Sequence, residues 1–403
     1  MPLIPVVLRQ GDDQKLSDPK NPLNKYLTHI NGVISVGLKI SFEELFAYCL
    51  YLNWLDQPGW KYNRELALKV PAFRGMFESF ISENKGKILL TREPTRHIIE
   101  YLGVGAGLSL IKRLVGFTDA DFARIKETSH PTMDYTYNAS DGEKILEIET
   151  KGTHDRKSIH DHLKSIDDKK AYHRKNIDTS GNTVLFGTIF NIKLEKYRSE
   201  IILADPPINL YGGDPQFVKL INRLKYYYSE LIKISRSHLA VSLINRINNL
   251  QNLGATWRGL DNIPLVNIDG EPIRIYETMA EPIWFDDGTI AHGRIYDLRL
   301  TPEVISKFYT KEELLEQIKD KPQRLYFRGI DSNVFTSISK QNFKNITLLK
   351  VEETVIGIKN KGYIYRKGKL LRLSSGLVVG TFTQENWDQE ILPIRIEKIL
   401  GAQ

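Results

Sequence analysis

The sequence predicts a mixed α/β fold: an α+β mixed sheet, preceded by a helical region and followed by a small β domain. Three observations point there. Residues 41–115 carry helical periodicity. An Asp141-Gly142 bend joins two alternating segments, which are followed by a helix and a buried strand. Between residues 322 and 383, short β-branched and aromatic runs alternate with Gly and Asn turns. At 403 residues the chain is long for a single core, so it divides into an N-terminal arm and helical region (1–93), a mixed core (94–210), a helical and mixed linker (211–320) and a small, basic, β-rich domain (321–403).

Polar residues and prolines make residues 1–30 an irregular arm. In "SFEELFAYCLYLNWL", Ser41 caps a helix and Glu44, three residues on, completes a capping box. The apolar run Leu45 to Leu55 is too short to cross a bilayer and reads as a buried helix, with Cys49 as a core thiol. A second helix starts near Pro94 or Thr95 and runs through "TRHIIEYLGVGAGLSLIKRLV". Its glycines, Gly103, Gly105 and Gly107, follow no strand and lack the third glycine of a dinucleotide fingerprint, so they read as small residues that let the helix lie close on a sheet. A first strand is expected at Phe122 to Thr128, the hairpin follows, and "HDRKSIHDHLKSIDDKKAYHRK" is the next helix, leading to a buried strand at Thr183 to Ile192. Asp214 as cap and Pro215 at the first helical position open a long helical stretch ending near Gly254, and residues 260–310 read as short strands and turns.

Hydrophobic residues make up 41% and charged residues 26%, ordinary values for a folded protein. One cysteine excludes an intrachain disulfide framework, and no leader or membrane segment is read, so a cytoplasmic protein without membrane partners is expected. The net charge is +7, which permits a polyanionic partner without requiring one. Clustering is more informative. Lys359, Lys361, Arg366, Lys367 and Lys369 surround Tyr363 and Tyr365 in the β-rich domain. They suit contact with a nucleic-acid phosphate backbone, although lysines also protect exposed strand edges.

The hairpin carries the chemistry. If Ser140 faces Glu143, Asp134 lies opposite Glu149, their Cβ atoms about 5 Å apart, with Lys151 on the same face. Two facing carboxylates need a positive charge between them, and a hard divalent cation, Mg²⁺ or Mn²⁺, is the natural occupant. Lys151 would then orient or help deprotonate an attacking water, a set suited to phosphodiester hydrolysis. Glu147 shares the face and competes with Glu149. An exposed sheet face with an ordinary cross-strand ion pair is the competing reading.

"PTMDYTYNASDGEKILEIETKG" resembles the core signature of the PD-(D/E)xK nuclease superfamily, the restriction-endonuclease-like fold, with Met133 standing where the motif has proline. The resemblance covers about residues 95–192 and places the motif acid on Asp134 and the (D/E)xK triplet on Glu149, Thr150 and Lys151. It implies a helix glutamate at Glu100, with Glu93 as a rival, and a metal held by Asp134, Glu149, Glu100 and the main-chain carbonyl of Thr150. It also implies a phosphate-approaching Lys170 on the crossover helix. The expected function is therefore a Mg²⁺- or Mn²⁺-dependent endonuclease acting on DNA, in a restriction or phage-defence setting, as a homodimer or with a partner protein. The alternative is a non-catalytic nucleic-acid-binding protein that keeps the fold. A carbohydrate hydrolase would want an aromatic-lined cleft that five scattered tryptophans do not suggest. His154, His160, His162 and His173 lack the spacing of a zinc site and read as a solvated helix face. "KYYYSEL" (Lys225 to Leu231) reads as helix core and rim.

Overall fold

The computed structural model describes residues 3–400 apart from 11, 20, 22, 54–62, 85–86, 126–135, 156, 177–182, 194–198, 205–213, 235–237, 268, 274–279, 308–309 and 363. It falls into two compact units: residues 1–55, 79–227 and 249–259 form the first, and 56–78, 228–248 and 260–403 the second. The fold is mixed helix and sheet, as the sequence predicts.

The first unit is built on a six-stranded mixed sheet. Its parts in chain order are β1 (Val6–Leu8), α1 (Phe42–Asn53), α2 (Arg96–Val115), β2 (Ala123–Arg124), β3 (Thr136–Ser140), β4 (Ile145–Thr153), α3 (Lys157–Asn176), β5 (Thr183–Asn191) and β6 (Glu200–Ala204). The spatial order is β1-β6-β5-β4-β3-β2. β2, β3 and β4 form an antiparallel meander, whereas β4 and β5 are parallel, with α3 as the connection between them. A parallel pair needs such a crossover because no tight turn can join it.

α2 lies on one face of β4. A Cβ on Gly103 would meet the Gly152 nitrogen at 2.3 Å, and one on Gly107 would meet the Thr150 side chain at 2.7 Å. The small residues thus do what the sequence suggested, letting helix and strand backbones meet. Ile159, Leu163 and Ile166 of α3 cover the opposite face, packing on Ile189 and Ile202. Their spacing of three to four residues is a one-face stripe.

The hairpin departs from the expected register. Thr136 pairs with Glu149, Asn138 with Glu147 and Ser140 with Ile145, so Ser140 does not face Glu143 and Asp134 is not opposite Glu149. The cause is the Asp141 side chain. Its Oδ1 accepts from the main-chain nitrogens of Glu143 (2.8 Å) and Lys144 (2.7 Å), which winds residues 141–144 into a longer loop with Gly142 at φ 94°. Lys25 Nζ (2.6 Å) and Tyr26 Oη (2.5 Å) donate to the same carboxylate and pin the loop. A shift of two residues preserves the faces, because side chains alternate with period two.

The capping box is half made. Ser41 Oγ accepts from the Glu44 nitrogen at 3.1 Å, but the Glu44 side chain turns inward and meets Lys112 (2.8 Å) and Arg113 (3.1 Å). A buried ammonium and a half-buried guanidinium offer the carboxylate more than one amide at the helix end does. Cys49 is buried, as expected.

The long helical stretch divides into α4 (Pro215–Ile234) and α5 (His238–Leu253), and Asp214 Oδ1 caps the first at Gln216. In the second unit, β7 (Glu281–Phe285), β8 (Ile290–Asp297), β9 (Leu325–Asp331), β10 (Thr354–Lys359), β11 (Arg366–Arg372) and β12 (Leu377–Gln384) close into a barrel of order β7-β8-β9-β12-β11-β10. Phe285, Ile295, Phe327, Leu370 and Phe382 fill it. Two of its strands precede residue 321, within the stretch read as linker. β8 pairs with β9 across an intervening segment of some thirty residues that no local pattern announces. Two short helices, α6 (Ser332–Lys340) and α7 (Phe343–Leu348), follow β9, capped by Asp331 and Asn342. Among the described residues no helix is long and apolar enough to cross a membrane.

Candidate functional site

Thr150 turns towards α2, so alternation puts Glu147, Glu149 and Lys151 on the face covered by α3. The neighbouring strand agrees. Glu149 is level with Gly187, where an added Cβ would meet Ile166 of α3 at 2.9 Å, and Lys151 is level with Ile189. Glu149 is 5% exposed, and Lys151 Nζ stands 3.1 Å from its Oε1. A carboxylate and an ammonium are thus held side by side on one rigid strand, largely shielded from water. Glu147, two residues earlier on the same face, has its carboxyl pushed up to about 7 by burial, so near neutrality it carries only part of a charge.

The other expected site residues divide. Asp134 lies outside the described residues, as does the side chain of Lys170 on α3. Glu100 leaves α2 one residue after Ile99, whose carbonyl oxygen abuts Gly152, which places it near the Lys151 end of β4. Its carboxylate is engaged by Arg96 at 2.8 Å and His97 at 3.6 Å on its own helix. Its rival Glu93 is exposed and sits 3.8 Å from His154. Thr150 is in the ladder with Thr188, its side chain away from the Glu149 face. Among the described residues no group of three or more His, Cys, Asp or Glu side chains is placed to hold a metal ion.

His162 corrects the reading of α3 as a solvated histidine face. It is half-buried, and its pKa is lowered first by burial and then by the charge of Lys151, opposed by Asp161 and by a hydrogen bond to the Gly152 main chain. The signal was available: His162 falls between Ile159 and Ile166 on the stripe that meets the sheet.

On the barrel, Lys359, Lys361, Lys367 and Lys369 are exposed. Lys369 is level with Gly357, Lys367 with Thr383 and Lys359 with Trp284, and Lys361 Nζ sits 4.4 Å above the Trp284 ring. Arg366 differs from them. Its Nε donates to Gln384 (2.7 Å), its Nη1 donates to the Pro282 carbonyl (3.1 Å), and burial lowers its pKa. The closed barrel also removes the edge-protection reading, since β10 and β11 have neighbours on both sides. Tyr363 lies outside the described residues, and Tyr365 is 51% exposed. Compared with known proteins, the chain matches no family model, no curated protein and no solved structure.

Proposed function

We propose that the chain is a metal-dependent nuclease of PD-(D/E)xK type that cuts DNA. The observation that carries this reading is the buried Glu149 with Lys151 at 3.1 Å, on a strand that enters a helix crossover to a parallel neighbour. The succession α2, β2, β3, β4, α3, β5 supports it, being the order of elements the motif implies. Carboxylate oxygens on a shielded strand suit Mg²⁺ or Mn²⁺, and within the described residues Glu149 fits such an ion. Asp134, Glu100 and the Thr150 carbonyl would complete the ligand set. The ion, when bound, supplies positive charge against the scissile phosphate. Were Glu149 to hold the ion, Lys151 Nζ, 3.1 Å from its Oε1, would be the group placed to hold the attacking water. A restriction or phage-defence setting is an analogy at the level of fold. Double-strand cutting would call for two copies of the site, as in a symmetric dimer.

The exposed lysine face of the barrel favours a second reading, a nucleic-acid-binding protein without chemistry. One comparison separates the two: duplex DNA, single-stranded DNA and RNA incubated with Mg²⁺, Mn²⁺ or EDTA, with gel shifts alongside. Cutting that requires a divalent ion is the expected result. Gel shifts indifferent to EDTA, with every substrate intact, would replace the first reading by the second.

Both readings give the barrel lysines a measurable role. If Lys359, Lys367 and Lys369 each meet a phosphate, replacing all three with Gln reduces the slope of log affinity against log salt by about 2–3. An unchanged slope would remove this face from the interface.

A further inference from the structure

The outer face of the barrel interleaves aromatic rings with cations at β7, β10 and β11. Ile283 and Phe285 fill the interior, so alternation turns Trp284 outward, with Lys359 of β10 level with it. On β11, Leu370 points into the core, which leaves Lys367 and Lys369 outside. Tyr365, one residue before the strand and 51% exposed, continues that outer row. The turn between β10 and β11 bridges Lys361 to Ile364, next to Tyr365, and sets the Lys361 ammonium 4.4 Å above the Trp284 ring. We propose that this face binds an unpaired nucleic-acid strand, its bases stacking on Trp284 and Tyr365 and its phosphates meeting Lys359, Lys361 and Lys367. The inference rests on the reading of the chain as a nucleic-acid protein and adds the state of the strand; it does not depend on the chemistry of Glu149 and Lys151.

Charge selects a polyanion. Among the described residues Lys359, Lys361 and Lys367 form no salt bridge. The acid nearest in the ladder is Asp286, whose Oδ2 fills the space over Gly357, level with Lys369. The positive excess is therefore concentrated at the end of the face that carries the rings. The rings then select the form of the polyanion. In a duplex the base faces are stacked on one another and only phosphates and edges are offered, so Trp284 and Tyr365 would gain nothing. An unpaired strand offers base faces and phosphates together, the combination that sequence-tolerant single-strand binders use. Only an exposed lysine covers the solvent side of Trp284, and such a cation contact is weaker than a stacked base. A base therefore displaces Lys361 from the ring towards a phosphate. A lipid surface fits less well, because sinking Trp284 into acyl chains would strip water from the ammonium held against it.

Full-length protein in EDTA, which silences any metal-dependent cutting, is titrated with short labelled single strands of DNA and of RNA and with duplex DNA of the same length, read by fluorescence anisotropy. The unpaired strand is expected to bind about fivefold or more tightly than the duplex, and the tighter of DNA and RNA identifies the strand. Trp284→Ala and Tyr365→Ala should each weaken strand binding by about fivefold or more. Duplex binding should stay within about twofold and the salt slope unchanged, because neither variant removes a charge. Tyr365→Phe keeps the ring and should bind as the parent does. Tyr365, at an exposed turn, keeps the test open even if Trp284→Ala disturbs the barrel. A duplex bound as tightly as the strand, or unaltered strand affinity in both alanine variants, would overturn the proposal alone. Capture by phosphatidylserine vesicles without preference for the unpaired strand would overturn it in favour of a membrane. Absence of binding to either form would remove the underlying nucleic-acid reading with it.

Discussion

Lys151→Ala is expected to slow DNA cleavage by about 10²–10⁴-fold, the usual cost of removing a positioned proton-transfer group. DNA affinity should stay within about twofold, because phosphate binding is spread over many exposed cations. The reasoning starts from position. Lys151 sits towards the C-terminal end of a nine-residue strand, level with Ile189 of β5, with its ammonium against Glu149. Truncation removes an ammonium 3.1 Å from that carboxylate and leaves the carboxylate shielded by α3. Lys151→Arg is not a conservative replacement here, since a planar fork cannot occupy the place of a compact ammonium, and it should rescue little. A melting curve run beside the assay separates loss of chemistry from loss of fold. If Lys151→Ala cuts as fast as the parent while binding equally well, Lys151 has no part in the reaction.

The largest effect on stability is expected at Glu44. Its carboxylate is buried with Lys112, meets the half-buried Arg113, and accepts from Ser109 Oγ at 3.0 Å. Burial alone would raise its pKa, but the two cations outweigh that and hold it at about 2. Because the folded value lies below the unfolded one, the group contributes stability above about pH 4.5 and loses that contribution as pH falls towards 2. The size is on the order of 3 kcal/mol, from about 1.4 kcal/mol per unit. Glu44→Gln removes the charge at every pH and leaves Lys112 buried beside an amide, so a loss of about 3–5 kcal/mol is expected. Urea unfolding at neutral pH measures it, and the difference from the parent should shrink as the pH approaches 2. Replacing Lys112 with Met in the same chain should recover part of the loss, since a buried pair exchanged for apolar volume is often tolerated. A midpoint unmoved at neutral pH would mean Glu44 and Lys112 are not a buried pair.

Much of the first unit is legible in the sequence because its signals are local. The Asp141-Gly142 bend, the alternation of "KILEIETK" and the stripe of Ile159, Leu163 and Ile166 each fall within one or two turns of chain. The register is not legible locally, because it depends on where Lys25 and Tyr26, more than a hundred residues away, hold the Asp141 side chain. Glu44 shows the same limit: its spacing from Ser41 spells a capping box, yet its partners lie on another helix. The barrel was half visible for a related reason. Its strands β10 to β12 form neighbouring hairpins and β7 and β8 form another, but that second hairpin joins the barrel through β10 and β9, pairings set by the tertiary fold. His162 is legible as part of a sheet-facing stripe, although polar neighbours dominate the composition of α3.

The most direct test of the central claim is a Mg²⁺ titration of duplex DNA cleavage by the parent and by Glu149→Ala. The account predicts a saturable rise in rate for the parent and no cutting by the variant at any Mg²⁺ concentration. Superimposable curves for the two proteins would contradict it.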